Sequence, residues 1–145
     1  MNSIMHLLTV HASPERVYQA LTTSEGISNW WTRDAVIDPK VGGAGEFGFY
    51  GHQFAIKVRV AELKSPTRVG WQLVSSTDGG FDGTNVEFNL RAQGDDTVVV
   101  FAHHGFKHYD DRYAGATTRW GFYIVSLKRY LESGKGNPNP EDIDF

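Results

Sequence analysis

Six histidines and seventeen acidic side chains carry the titratable chemistry of this chain, which has no cysteine. Thiol nucleophiles, thiolate metal sites and disulfides are thereby excluded. His103, His104 and His108, with Asp110 and Asp111 close by, have the residue types of a metal site. Their spacing argues otherwise. His103 and His104 are neighbours on an expected strand, so their side chains face opposite ways. No HExxH or comparable spacing occurs, and no metal is expected. His103 alone suits a hydrogen-bonding or acid–base role; the plainer reading is a satisfied histidine at a strand end. Glu46 and Glu87 lie on the parity opposite Phe47/Phe49 and Val86/Phe88 and are expected to face solvent. Asp34 and Asp38 flank a helix–strand junction and are the better candidates for a rim. Ser13 and Ser24 read as helix caps, and no G-x-S-x-G elbow exists to make a serine nucleophilic. Gly42-Gly43-Ala44-Gly45 does not run into a helix or end in GK[ST], so it reads as a bend and not as a phosphate loop.

The strongest chemical signal is apolar. The chain holds nine Phe, six Tyr and four Trp beside sixteen Gly. Trp30, Trp31, Phe47, Phe49, Trp71, Phe88, Phe101, Trp120 and Tyr123 are candidates for the wall of a pocket, with His103 at its end. Pockets for apolar or aromatic ligands are built this way, mostly hydrophobic with a few polar anchors. A core filled by the same aromatics is the plainer reading.

The elements that would position these residues follow from periodicity. Ser3 to His11 alternates as a strand. Ser13-Pro14-Glu15 opens a helix with the face Val17, Ala20 and Leu21, and Ser24-Glu25 opens a second with the face Ile27, Trp30 and Trp31. Period-two alternation then recurs over 35–37, 46–50, 54–60, 69–76, 86–91 and 97–103, separated by turn-forming stretches. The segment Asp78 to Gly83 is a loop expected at a cavity mouth. From about Thr117 to Ser133 the period becomes helical, with Trp120, Tyr123, Ile124, Leu127, Tyr130 and Leu131 on one stripe and Gly134 as the stop. Hairpin-spaced strands make an antiparallel sheet, and a single long helix covers one face of it. One domain over residues 1–136 is expected, followed by a loose tail, 137–145.

Composition bounds the function. A net charge of −3 and a sequence pI near 6.0 lack the basic footprint of a nucleic-acid binder. No run reaches the ~20 apolar residues of a membrane helix, and the first residues lack a secretory pattern, so a cytoplasmic protein is expected.

The order of elements is similar to the helix-grip fold of the START-like (SRPBCC) superfamily. The motifs carry the likeness further. His11-Ala12-Ser13-Pro14-Glu15-Arg16-Val17, Ile27-Ser28-Asn29-Trp30-Trp31, Val41-Gly42-Gly43 and Ser65-Pro66-Thr67-Arg68-Val69-Gly70-Trp71 resemble the heat-shock-protein-90 ATPase activator homologue family. So do Thr97 to Phe101 with His103-His104-Gly105-Phe106, and Trp120-Gly121 through Gly134 in the closing helix. The resemblance implies an α+β domain: a seven-stranded antiparallel curved sheet wrapped around the carboxy-terminal helix, with two short helices after the first strand. It implies a cavity without fixing its use. Three uses stay open. The first is non-catalytic binding of a small hydrophobic or aromatic molecule, with no cofactor, by a monomer or weak homodimer. The second is a cyclase, aromatase or hydrolase with a histidine base. The third is a co-chaperone-like module that contacts another protein.

Overall fold

The expected alternation becomes a single sheet in the computed structural model, which describes residues 2–145. The elements are β1 (Asn2–Val10), α1 (Pro14–Thr22), α2 (Ser24–Ser28), β2 (Asp34–Ile37), β3 (Ala44–Phe49), β4 (Phe54–Lys64), β5 (Arg68–Ser76), β6 (Asn85–Gln93), β7 (Asp96–Phe106) and α3 (Asp111–Ser133). The strands stand in the order β1-β7-β6-β5-β4-β3-β2, with every neighbouring pair antiparallel. The chain begins at one edge, crosses through α1 and α2 to the other, and returns strand by strand until β7 pairs with β1. Register shifts in β1 and β4 mark bulges, which bend a sheet. This is the helix-grip architecture. Among the described residues no helix is long and apolar enough to cross a membrane.

Local chemistry explains where the helices start. Ser13 Oγ accepts the Arg16 backbone N–H, and Pro14 follows at the first helical position, where its missing N–H costs nothing. At α2 the cap is Thr23 and not Ser24: Thr23 Oγ1 accepts from Gly26 N–H at 2.9 Å. Ser24 Oγ accepts instead from the Ile37 N–H and so ties α2 to β2. Helix α2 ends at Ser28, so Trp30 and Trp31 lie beyond it, not on its face. Helix α3 starts at Asp111, earlier than its apolar stripe predicts, because the Asp110 carboxylate caps it through the Tyr113 N–H. Its first turns, Tyr113-Ala114-Gly115-Ala116, carry too little apolar periodicity to be recognised as helix. Gly134 closes it at φ 85°, a conformation that suits glycine.

The buried stripe of α3, including Trp120, Ile124, Leu127 and Leu131, packs into one cluster with the inward residues of the strands. The expected loose tail is corrected over its first part. Asn139 is buried, its N–H donates to the Trp31 carbonyl at 2.8 Å, and its own carbonyl accepts from Arg33 N–H at 3.0 Å. Its side-chain Oδ1 accepts from Tyr50 N–H at 3.0 Å. Ser126 Oγ completes the anchor, donating to the Trp30 carbonyl and accepting from Asn137 N–H. These bonds satisfy backbone groups that the turn after α2 would otherwise bury unpaired, which is the force that holds the tail in place.

Candidate functional site

A cavity of about 540 Å³ lies between the sheet and the first half of α3. The sheet contributes Phe49 from β3, Phe54 and Ile56 from β4, Leu73 from β5 and His103 from β7. Helix α3 contributes Ala116, Arg119, Trp120 and Tyr123, and the 78–83 loop contributes Asp78 and Phe81. The loop expected at a cavity mouth thus borders this cavity.

Of the ten residues expected to form a pocket, Trp31, Phe49, His103, Trp120 and Tyr123 border this cavity. Trp30, Phe47, Trp71, Phe88 and Phe101 do not. They are buried in the solid core beyond it. Trp31 and Trp120 form the partition between the two regions. Trp31 stacks on Trp71 with the rings 6° apart, and Trp120 lies 4.9 Å from Trp31 and 4.5 Å from Phe101, centroid to centroid. On the far side Trp30 donates its indole N–H to the Ala20 carbonyl and locks α1 over that end of the sheet. The Trp71 indole N–H is buried without a partner among the described residues, a polar donor held in the aromatic stack by packing alone.

His103 is the polar centre of the cavity wall. Its Nδ1 accepts the Trp120 indole N–H at 3.0 Å. The proton therefore sits on Nε2, which donates to Thr84 Oγ1 at 2.8 Å, and Thr84 in turn donates to the Phe81 carbonyl at 2.6 Å. Burial, with a smaller push from the His104 charge, lowers the His103 pKa to about 3. The imidazole is neutral, and both its nitrogens are occupied. His104 points the other way, as the strand alternation requires, and bonds Ser3 and Glu87. Glu87 is no ordinary exposed acid. It is half-buried between His104 and Arg68 on the outer face of the sheet. Burial pushes its pKa up, but those two partners together hold it below the usual carboxylate value.

At the cavity mouth Arg112 donates to Asp78 at 2.7 Å and lies over the Phe81 ring. Burial raises the Asp78 carboxyl pKa; hydrogen bonds from the Gly80 N–H and Arg112 outweigh it and leave the group below its ordinary value. Tyr123 donates its hydroxyl to Asp142 at 2.5 Å, and burial followed by that carboxylate drives the phenol well above its usual pKa. Asp34 and Asp38, the expected rim acids, are not part of the wall. Asp38 sits beside Lys40, and Asp34 joins Glu46 in gripping His52 through its two ring nitrogens. Glu46 therefore lies on the exposed face, as its parity requires.

That grip shapes the site indirectly. Tyr50, Gly51 and His52 all have positive φ (55°, 67° and 68°), strained values for the two that are not glycine. The Asn139 side chain and the Asp34–His52–Glu46 cluster hold this turn and so place Tyr50 at the mouth. Hydrogen bonds to Asp34 and then Glu46 raise the His52 pKa. A histidine with a raised folded pKa contributes stability that is complete below its unfolded value, near 6.5, and is lost as pH rises through the folded one. Amide exchange at 50–53 is thus expected to speed up as pH rises past 6.5, beyond the ordinary base-catalysed increase. His52→Ala should remove that excess; an unchanged excess in the variant would contradict the role.

The wall residues missed in the sequence have traceable signals. Phe54 and Ile56 belong to the period-two alternation over 54–60, on the parity of Val58 and Val60. Ala116 precedes the expected helix start at Thr117, and Arg119 lies within the expected helix but is polar, so an apolar stripe does not name it.

Comparison with known proteins agrees with this geometry. The family model described as "Activator of Hsp90 ATPase homolog 1-like protein" matches residues 11–132. No curated protein sequence gives a significant match. Among solved structures, the Aha1 dimer from Colwellia psychrerythraea is similar at 35% identity, over 94% of this chain and 100% of that one, with a TM-score of 0.84. Protein MLL2253 from Mesorhizobium loti shares 21% identity over 90% and 97% of the two chains, with a TM-score of 0.79. CalU16 from Micromonospora echinospora shares 19% over 91% and 77%, with a TM-score of 0.71. These last two bear on the fold alone. With 122 consecutive positions matched by the model and a fold that superposes throughout, this chain belongs to the Activator of Hsp90 ATPase homolog 1-like family.

Proposed function

We propose that this protein reversibly binds a small hydrophobic or aromatic molecule in the cavity between sheet and α3, as a non-catalytic carrier or sensor. The observation that carries this reading is the cavity itself. It measures about 540 Å³, within the roughly 300–1,000 Å³ usual for ligand pockets, and its wall is mainly aromatic and aliphatic. Removing an apolar ligand from water against such a wall supplies the driving force.

The protonation chemistry supports carriage over catalysis. An enzyme of the cyclase or hydrolase type would need a histidine with a free lone pair beside an orienting partner. His103 has neither nitrogen free, and the Tyr123 proton is directed at Asp142. The co-chaperone reading calls for a contiguous apolar surface. Met5 and Leu7 on β1 and Val36 on β2 are exposed, but those strands are opposite edges of the sheet. The Colwellia psychrerythraea relative is described as a dimer, which supports weak self-association of this chain.

The direct test is native mass spectrometry of protein purified from its own host, followed by thermal melts with a panel of hydrophobic compounds. A retained small molecule, or stabilisation by members of the panel, is expected. A chain that carries nothing and that no compound stabilises would overturn the reading. Ala116→Leu sharpens the test, because Ala116 is buried on the cavity side of α3. The larger side chain enters empty space and not a packed core, so Tm should hold or rise while ligand stabilisation is lost. Undiminished stabilisation in this variant would place the ligand elsewhere.

A further inference from the structure

The polar groups around the cavity divide into those already satisfied and those still free. His103 is bonded at both nitrogens, Tyr123 is bonded to Asp142, and Arg112 is paired with Asp78. Asp142 is taken up by Tyr123 and by the Asn139 amide. Arg119 differs. Among the described residues it has no carboxylate within 4.0 Å and makes no hydrogen bond, although it borders the cavity. Its guanidinium lies back along α3 over Gly115, where an added Cβ would stand 2.9 Å from Nη1, and under the Phe145 ring at 5.1 Å. A guanidinium presents five donors in a fixed fork, and here the fork is held by a ring and a bare stretch of helix, not by an acid. Tyr50 also borders the cavity, and among the described residues its hydroxyl makes no hydrogen bond. Asp111 is the one unpaired acid on the wall. It stands one turn before Gly115, about 6 Å along the axis, and its carboxylate is more than 4.0 Å from the guanidinium, so the two form no ion pair.

We infer that the ligand is an amphipathic monocarboxylate, its apolar body in the cavity and its carboxylate on the Arg119 guanidinium, with the Tyr50 hydroxyl as a second donor. This rests on the reading of the cavity as a carrier site and adds the chemical class of the cargo. A neutral molecule of the same length would leave the fork unused. A carboxylate gains charge-assisted hydrogen bonds at the arginine of the wall that, among the described residues, has no carboxylate within 4.0 Å.

The two levels can be tested separately with the neutral fluorophore N-phenyl-1-naphthylamine as reporter. Its binding to the wild-type chain tests the apolar cavity. Displacement by decanoic acid and by 1-decanol at pH 8 then tests the head group. Decanoate is expected to displace the probe at concentrations about tenfold lower than decanol. Arg119→Gln should abolish that preference, read as the ratio of the acid and alcohol displacement constants after each is corrected for the variant's own probe affinity, and Arg119→Lys should keep part of it. If the probe binds but acid and alcohol compete equally, the carboxylate inference fails and the carrier reading stands. Equal weakening of both competitors in Arg119→Gln would also overturn it, since the residue would then be a wall and not an anchor. If the wild-type protein does not bind the probe, both fail together.

Discussion

Trp120→Ala is expected to cost about 3–5 kcal/mol of folding stability, the range for deleting a large buried aromatic, and to lower Tm by roughly 10 °C or more. Three losses coincide at this position. The ring is buried and packs against Phe101 and Trp31, so its removal opens a void in the partition between cavity and core. The indole N–H is the donor to His103 Nδ1, so its removal strands a buried acceptor. Ligand binding should vanish as well, because the cavity loses its floor. Trp120→Phe separates the contributions: it keeps most of the packing and loses the hydrogen bond. Chemical denaturation of both variants is the measurement. A change below about 1 kcal/mol for the alanine variant would mean that this helix face does not form the partition.

Acidification should destabilise the protein well before its carboxylates protonate. His103 has a folded pKa of about 3 against about 6.5 unfolded, so it binds its proton in the unfolded state first. Stability from keeping it neutral is complete above pH 6.5 and is lost as pH falls toward 3. The slope reaches about 1.4 kcal/mol per pH unit and the total about 4–5 kcal/mol. Because the group is buried, solvent screening does not discount this. His52 does not oppose the effect, since its contribution is already complete below pH 6.5. Glu62, Asp78, Glu87, Glu132 and Glu141, all held below their ordinary values, join the loss only as pH passes below the ordinary carboxylate range. The interval from pH 6.5 to 4.5 therefore isolates His103. Urea unfolding across that interval should show a declining stability in the wild-type protein and a flatter line in His103→Gln, even though the variant starts less stable at pH 7. Parallel lines would show that the histidine does not titrate with unfolding.

The sequence by itself determined the scaffold. Alternation on Phe54 to Val60 and on Val86 to Leu90 sets a strand's inner face, because side chains point to opposite sides with period two. Ser13-Pro14 sets a helix start because the cap and the ring act within three residues. These are local effects, and a local pattern records them. The same alternation separates His103 from His104 and is enough, without any tertiary contact, to rule out a metal shared between them. Parity, however, names a face and not a position along it. Phe47 and Phe49 share a face, as do Trp71 with Leu73 and Phe101 with His103. In each pair the first is core and the second borders the cavity. What divides them is which end of the sheet α1 and Trp30 close and which end is left to the start of α3, and those contacts join residues far apart in the chain. Only the tertiary structure decided that, along with the neutral tautomer of His103, the docking of Asn139, and which of the two arginines on the cavity wall is paired with an acid. Each of these depends on what arrives from elsewhere in the chain to satisfy a buried group, and no spacing within a single element encodes it.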